Sequence, residues 1–97
     1  MAVSETHYVA LIHKDETSGY GVSFPDAPGV IAVAETLDEA ISEGAAALQF
    51  AFEDWSGPLP VPRTLEALRG DADFQADAVD AIVAVIRPSY SYYAAAE

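Results

Sequence analysis

Residues Tyr20 to Trp55 read YGVSFPDAPGVIAVAETLDEAISEGAAALQFAFEDW, and this stretch decides the fold. In its first part Tyr20, Val22 and Phe24 alternate with Gly21 and Ser23, the two-residue period of a strand. Pro25 has no N–H to give to a ladder and ends that strand. Pro28-Gly29 suits a tight turn, after which Val30 to Ala34 returns as a second apolar strand. Then the period changes. Thr36-Leu37-Asp38-Glu39 is a capping box, in which the Thr36 hydroxyl accepts from the Glu39 N–H and the Glu39 carboxylate reaches back to the Thr36 N–H. Asp38 and Glu39 also suit the positive end of a helix dipole. The helix that opens here, Thr36 to about Trp55, carries an apolar stripe at Leu37, Ile41, Gly44, Leu48, Ala51, Phe52 and Trp55, as a core-facing helix must. A glycine in mid-helix costs about 1 kcal/mol against alanine. The place of Gly44 on the stripe therefore predicts close contact between helix and sheet. On the second strand, Gly21 and Ser23 leave room for something packed close, such as a helix.

Working outward, Thr6 to Lys14 also alternates. His7, Val9, Leu11 and His13 point one way, and Tyr8, Ala10, Ile12 and Lys14 the other, so both faces of this first strand are apolar. The polar run Asp15-Glu16-Thr17-Ser18-Gly19 is a hairpin signal. The first three strands thus form an antiparallel meander. After the long helix, Ser56-Gly57-Pro58 is a stop, and Pro58, Pro60 and Pro62 stiffen a connector. Thr64 caps a short helix with Leu65 and Leu68, and Gly70 to about Asp77 forms another. Val79 to Ile86 is the last strand, with Ile82 and Ile86 on one face and Val83 and Val85 on the other, expected to be buried on both sides. A long connection with helix separates it from the meander, which predicts a place beside the first strand and parallel to it. The fold class is α+β, a small mixed sheet with one long helix packed on it.

A chain of 97 residues with 52% hydrophobic content is one folded domain. No apolar run approaches the ~18 residues of a membrane span, and Met1 to Glu5 has no signal-peptide pattern, so the cytoplasm is the expected location. There is no cysteine, which removes disulfides and thiolate metal sites. Sixteen acidic residues against four Lys/Arg give a net charge of −12. Such a surface repels phosphate backbones and attracts a basic partner. Motifs for nucleotide binding or nucleophilic catalysis are missing. His7 and His13 share a face but lie ~20 Å apart along a strand, too far for one metal ion. Asp26, Glu35 and Asp38 could gather oxygens round a divalent cation, yet Asp26 reads more simply as a turn residue and Asp38 as a helix-start residue, so no metal or other cofactor is assigned. Phe50 lies off the stripe, near Ala46 and the acidic outer face of the helix. Ala46 and Phe50, with Tyr90 and Tyr92 of the tail, are the expected contact in a homo-oligomer, because aromatic residues favour interface cores.

Four pieces in order resemble the HicB family of antitoxins: Y-x-A-x-I-H-K-D at Tyr8 to Asp15, G-Y-G-V-S-F-P-D-A-P-G at Gly19 to Gly29, T-L-D-E-A at Thr36 to Ala40, and L-P-x-P-R at Leu59 to Arg63. The resemblance spans roughly residues 6 to 88. It implies a partial RNase H-like fold, β-β-β-α-β, without catalysis, since the carboxylate set of RNase H enzymes is not part of the family pattern. It also implies a partner: a HicA-like toxin, a small basic mRNA-cleaving ribonuclease that HicB-like domains mask. The net charge fits that role independently. Family members commonly continue into a DNA-binding domain. Here residues 1–90 read as the HicB-like domain and residues 91–97 as a tail too short for one, so no nucleic-acid binding is expected of this chain. The candidate toxin-facing residues are Tyr20, Asp26, Glu35 and Asp38. The competing reading is a stand-alone oligomeric or small-ligand-binding module that keeps the fold without a toxin.

Overall fold

The structure, a computed structural model, describes residues 6–17 and 19–89. Its elements are β1 (Tyr8–Asp15), β2 (Gly19–Ser23), β3 (Ile31–Ala34), α1 (Leu37–Glu53), α2 (Leu65–Arg69), α3 (Ala72–Asp77) and β4 (Ile82–Ile86). The four strands form one sheet in the order β3-β2-β1-β4. The α+β class and the place of β4 beside β1 are as the sequence predicts.

The direction of β4 is not. It pairs antiparallel to β1, with Tyr8 opposite Ile86 and Ile12 opposite Ile82, so the sheet is wholly antiparallel rather than mixed. The reason lies in a second crossing of the sheet. α1 carries the chain from the end of β3 down one face, to the level where β1 begins. There the Tyr8 hydroxyl donates to the Pro60 carbonyl at 2.6 Å. The connector then turns onto the other face, and α2 and α3 climb back to the far end of β1, where His13 Nε2 meets the Asp77 carbonyl at 2.7 Å. A strand that starts at that level can only run back down.

β1 is accordingly buried on both sides. Tyr8, Ala10 and Ile12 pack with Val22, Phe24, Ala40, Leu48 and Ile86 under α1. Val9 and Leu11 pack with Leu68 and Phe74 under α2 and α3. These short helices reach no further than the centre of the sheet. β4, the edge strand beside β1, lies outside their cover, and Val85 is 61% exposed instead of buried. The residues before Ile82 leave the ladder: Asp80 takes a φ of 62°. The face of β2 that carries Gly21 and Ser23 receives no helix either, and a Cβ built on Gly21 would meet nothing within 4 Å.

α1 is capped as its sequence requires, with Thr36 Oγ1 accepting from the Glu39 N–H at 3.1 Å. The Glu39 carboxylate reaches one residue further back than expected, to the Glu35 N–H. Ala40, Gly44 and Leu48 form the buried line of the helix, while Leu37 and Ile41 are exposed. A Cβ on Gly44 would lie 3.2–3.3 Å from Ile86, Phe24 and Val22, so the glycine does set how closely helix and sheet approach. Among the described residues no helix is long and apolar enough to cross a membrane.

Candidate functional site

The end of the sheet where α1 begins is rich in carboxylates. Asp15 and Glu16 occupy the β1–β2 hairpin, and the Asp15 carboxylate accepts from the Thr17 N–H and hydroxyl. Gly19 closes this hairpin at φ 119°, and a side chain there would collide with the Ala34 carbonyl. The missing side chain lets the hairpin approach the end of β3 closely. Tyr20 pairs with Ala34 in the ladder, which places it beside Glu35. Its ring is half-buried and carries the Lys14 ammonium 5.4 Å from its centroid. Glu35, Asp38 and Glu39 follow at the exposed start of α1. From the other face α3 adds Asp77, held by its carbonyl to His13, and Asp80 follows just before β4. Carboxylates from four separate segments therefore lie toward one end of the sheet, on both of its faces, with Lys14 and His13 as the basic groups among them.

Tyr20, Glu35 and Asp38 belong to this end, whereas Asp26 does not. It lies beyond the opposite end of β2, roughly 17–20 Å from Tyr20 at the rise of a strand. Its carboxylate is also engaged. Arg63 donates its backbone N–H to Asp26 Oδ2 at 2.7 Å and its Nε–H to Oδ1 at 2.8 Å. The second guanidinium nitrogen closes the fork at 2.8 Å, and the third reaches Asp71 at 2.9 Å. Asp71 in turn caps α3 through the Asp73 and Phe74 N–H groups. The Arg63 guanidinium, followed by those two N–H groups, holds the Asp71 carboxyl below the usual carboxylate range. Asp71 and Asp26 raise Arg63. Burial, and secondarily the Asp26 charge, push the Tyr8 phenol up, which keeps it a hydrogen-bond donor to Pro60. Asp26 is thus a clamp that ties the β2–β3 turn to the connector and to α3. The sequence carried a signal for it, in one of the chain's four basic residues following a proline-rich connector, but nothing in it names the partner.

Two other surface features are built. A groove of about 720 Å³ is walled by Tyr8, Phe52, Leu59, Pro60, Pro62 and Pro88. A second of about 450 Å³ runs along the free edge of β3, between Ile31, Ala32 and Val33 and the Glu43, Ala46, Ala47 and Phe50 side of α1. Phe50 is 71% exposed. Tyr90 and Tyr92, expected to share that contact, lie outside the described residues. The described residues contain no group of His, Cys, Asp or Glu spaced to hold a metal ion.

These features define a class: a small acidic α+β domain whose chemistry is carried on its surface. The family model for HicB-like antitoxins of bacterial toxin–antitoxin systems matches residues 8–92, and the chain belongs to that family. Among solved structures it is similar to the N-terminal domain of the Burkholderia pseudomallei antitoxin HicB, with 27% identity and a TM-score of 0.67 over 87% of this chain and 99% of that one. It is similar at 28% identity and the same TM-score to the larger HicB structure from that organism, of which it spans 65% while 89% of this chain is covered. A HicA3 and HicB3 toxin–antitoxin complex matches at 20% identity with a TM-score of 0.67, over 84% of this chain and 96% of that one, a likeness of fold alone. No curated protein matches the sequence.

Proposed function

We propose that this chain binds and masks a basic, HicA-type mRNA-cleaving toxin in the cytoplasm, without catalysis of its own, and that the acidic end of the sheet is the surface it offers. The gathering of Glu35, Asp38, Asp77 and Asp80 with the hairpin acids at one end carries this reading. A ribonuclease that grips RNA phosphates presents a groove of Lys and Arg. Carboxylates fixed on strand and helix ends fit such a groove at little entropic cost, because their backbone is already ordered. A net charge of −12 steers the encounter. Tyr20 adds an amphipathic ring beside Glu35. Asp26 supports the fold from the opposite end, because Arg63 already neutralises it.

The test is titration of this chain with the HicA-type protein of its own host. Glu35→Lys combined with Asp38→Lys weakens binding at least tenfold, and wild-type affinity falls steeply with salt. Asp26→Ala lowers thermal stability and leaves the affinity of the folded protein unchanged. An affinity indifferent to both the charge reversal and salt refutes the acidic-end reading.

A further inference from the structure

We infer that the groove walled by Tyr8, Phe52, Leu59, Pro60 and Pro62 is the seat of this chain's own segment Tyr90 to Tyr93, which straps the connector onto α1. The groove holds about 720 Å³. Of the residues that line it only Glu53 carries a charge. Its aromatic wall is continuous with a ring stack, in which Phe52 lies 5.4 Å from both Tyr8 and Trp55. A polar ligand would find few partners there, whereas an aromatic side chain would bury its ring.

Three observations favour the chain's own segment over another occupant. The first is where the described residues end. Buried Pro88 forms part of the groove wall, and Ser89 is tied to α1, its N–H donating to the Ala45 carbonyl at 3.1 Å. Gln49, one helical turn beyond Ala45, lines the groove, as do Phe52 and Glu53. The sequence therefore continues into Tyr90 from the groove's rim. The second is composition and reach. Residues 90–97 read YSYYAAAE, three tyrosines in four positions for a groove built of Tyr, Phe, Leu and Pro. Ala45 to Phe52 is ~10 Å along a helix, a distance that four extended residues cover at ~3.3 Å each. A tyrosine suits such a seat because its ring packs on the apolar wall while its hydroxyl stays at the wet mouth. The third is the weakness of the competitors. A partner rich in Lys and Arg meets one carboxylate here, against many at the acidic end. A second copy must displace a segment tethered at the rim, whose effective concentration is in the millimolar range. The groove beside Phe50 is on the other flank of α1, since Ala45 and Phe50 stand about 140° apart around the helix. Seating Tyr90 to Tyr93 closes the groove over Leu59 and Pro60, and so braces the connector that carries Arg63 to Asp26.

The test uses the full chain at micromolar concentration. Nuclear Overhauser contacts join the ring protons of the 90–93 tyrosines to Phe52, Leu59 and Pro62. In a mixture of isotope-labelled and unlabelled chains, filtered spectra show these contacts within chains and none between them. Tyr92→Ser combined with Tyr93→Ser removes them, keeps the far-UV circular dichroism and lowers Tm by at least ~4 °C. Because the chain lacks cysteine, disulfides report the seat independently. Val61→Cys with Ala94→Cys closes an intrachain bridge on mild oxidation, whereas Val79→Cys with Ala94→Cys does not, although Val61 and Val79 are both exposed. Tyrosines without contacts to the groove overturn the inference, as does a Tm indifferent to their loss. Contacts found only between chains overturn it by giving the groove to a second copy. Contacts to Ile31, Val33 and Phe50 overturn it by giving the tyrosines to the other groove.

Discussion

Gly44→Ala sets two known effects against each other at a place where the geometry decides between them. The substitution removes the conformational penalty of glycine within α1, a gain of about 0.8–1 kcal/mol. It also adds a methyl group 3.2 Å from Ile86 Cδ1 and 3.3 Å from both Phe24 Cζ and Val22 Cγ1. Carbon atoms pack best at about 3.5–4.0 Å, so all three neighbours must retreat by a few tenths of an ångström together. Each is itself buried, at 2%, 3% and 2% exposure for Val22, Phe24 and Ile86. The Val22 methyl sits on a β-branched carbon whose χ1 is restricted. Ile86 Cδ1 is the most mobile of the three. Overpacking of this kind costs about 1–3 kcal/mol, which exceeds the helical gain. The expected result in urea denaturation is a net loss of about 0.5–2 kcal/mol with an unchanged slope, or a fall in Tm of roughly 3–12 °C for a domain of this size. Ile86→Val removes the closest contact. Alone it costs about 0.5–1.5 kcal/mol, but combined with Gly44→Ala it should cost less than the two losses added. A Gly44→Ala chain more stable than wild type, or strict additivity with Ile86→Val, refutes the claim that this glycine sets the helix–sheet distance.

The Arg63 clamp should fail in acid. A carboxyl held low in the folded chain, as Asp71 is, stabilises the fold above its unfolded value and loses that contribution as pH falls through the folded one. Asp71→Asn keeps a good helix cap but removes the charge, so its Tm should lie below wild type near pH 7, and the gap should narrow as pH falls below the usual carboxylate range. A gap that persists in acid assigns the effect to the cap. Asp80 sits at φ 62°, a left-handed conformation that glycine adopts without the side-chain penalty. Asp80→Gly should therefore raise stability by a few tenths to about 1 kcal/mol in the same denaturation assay, and a loss would show that the Asp80 side chain holds the turn.

The features legible along the chain are local. The two-residue period of Tyr8 to Lys14 and Tyr20 to Phe24, the stop at Pro25, and the Thr36 and Thr64 caps are each written within a few residues. The structure reproduces them because those interactions close within a turn or a strand. The net charge, a simple sum, was equally legible. The rest depended on long-range packing. Parallel or antiparallel β4 depended on which face the connector took after Trp55, and that was settled where Leu68 and Phe74 found Val9 and Leu11. Val85 is exposed because those helices end over β1, although it does share a face with Val83. Asp26 and Arg63, 37 residues apart, carry no pattern that links them until the turn and the connector share one end of the sheet. Likewise Glu35 and Asp38 share an end of the sheet with Asp77 and Asp80 only because α3 delivers the chain to the end at which α1 begins. Period and capping are short-range and survive in one dimension. Which carboxylates share a surface depends on where long connections land, and burial of side chains distant in sequence fixes that.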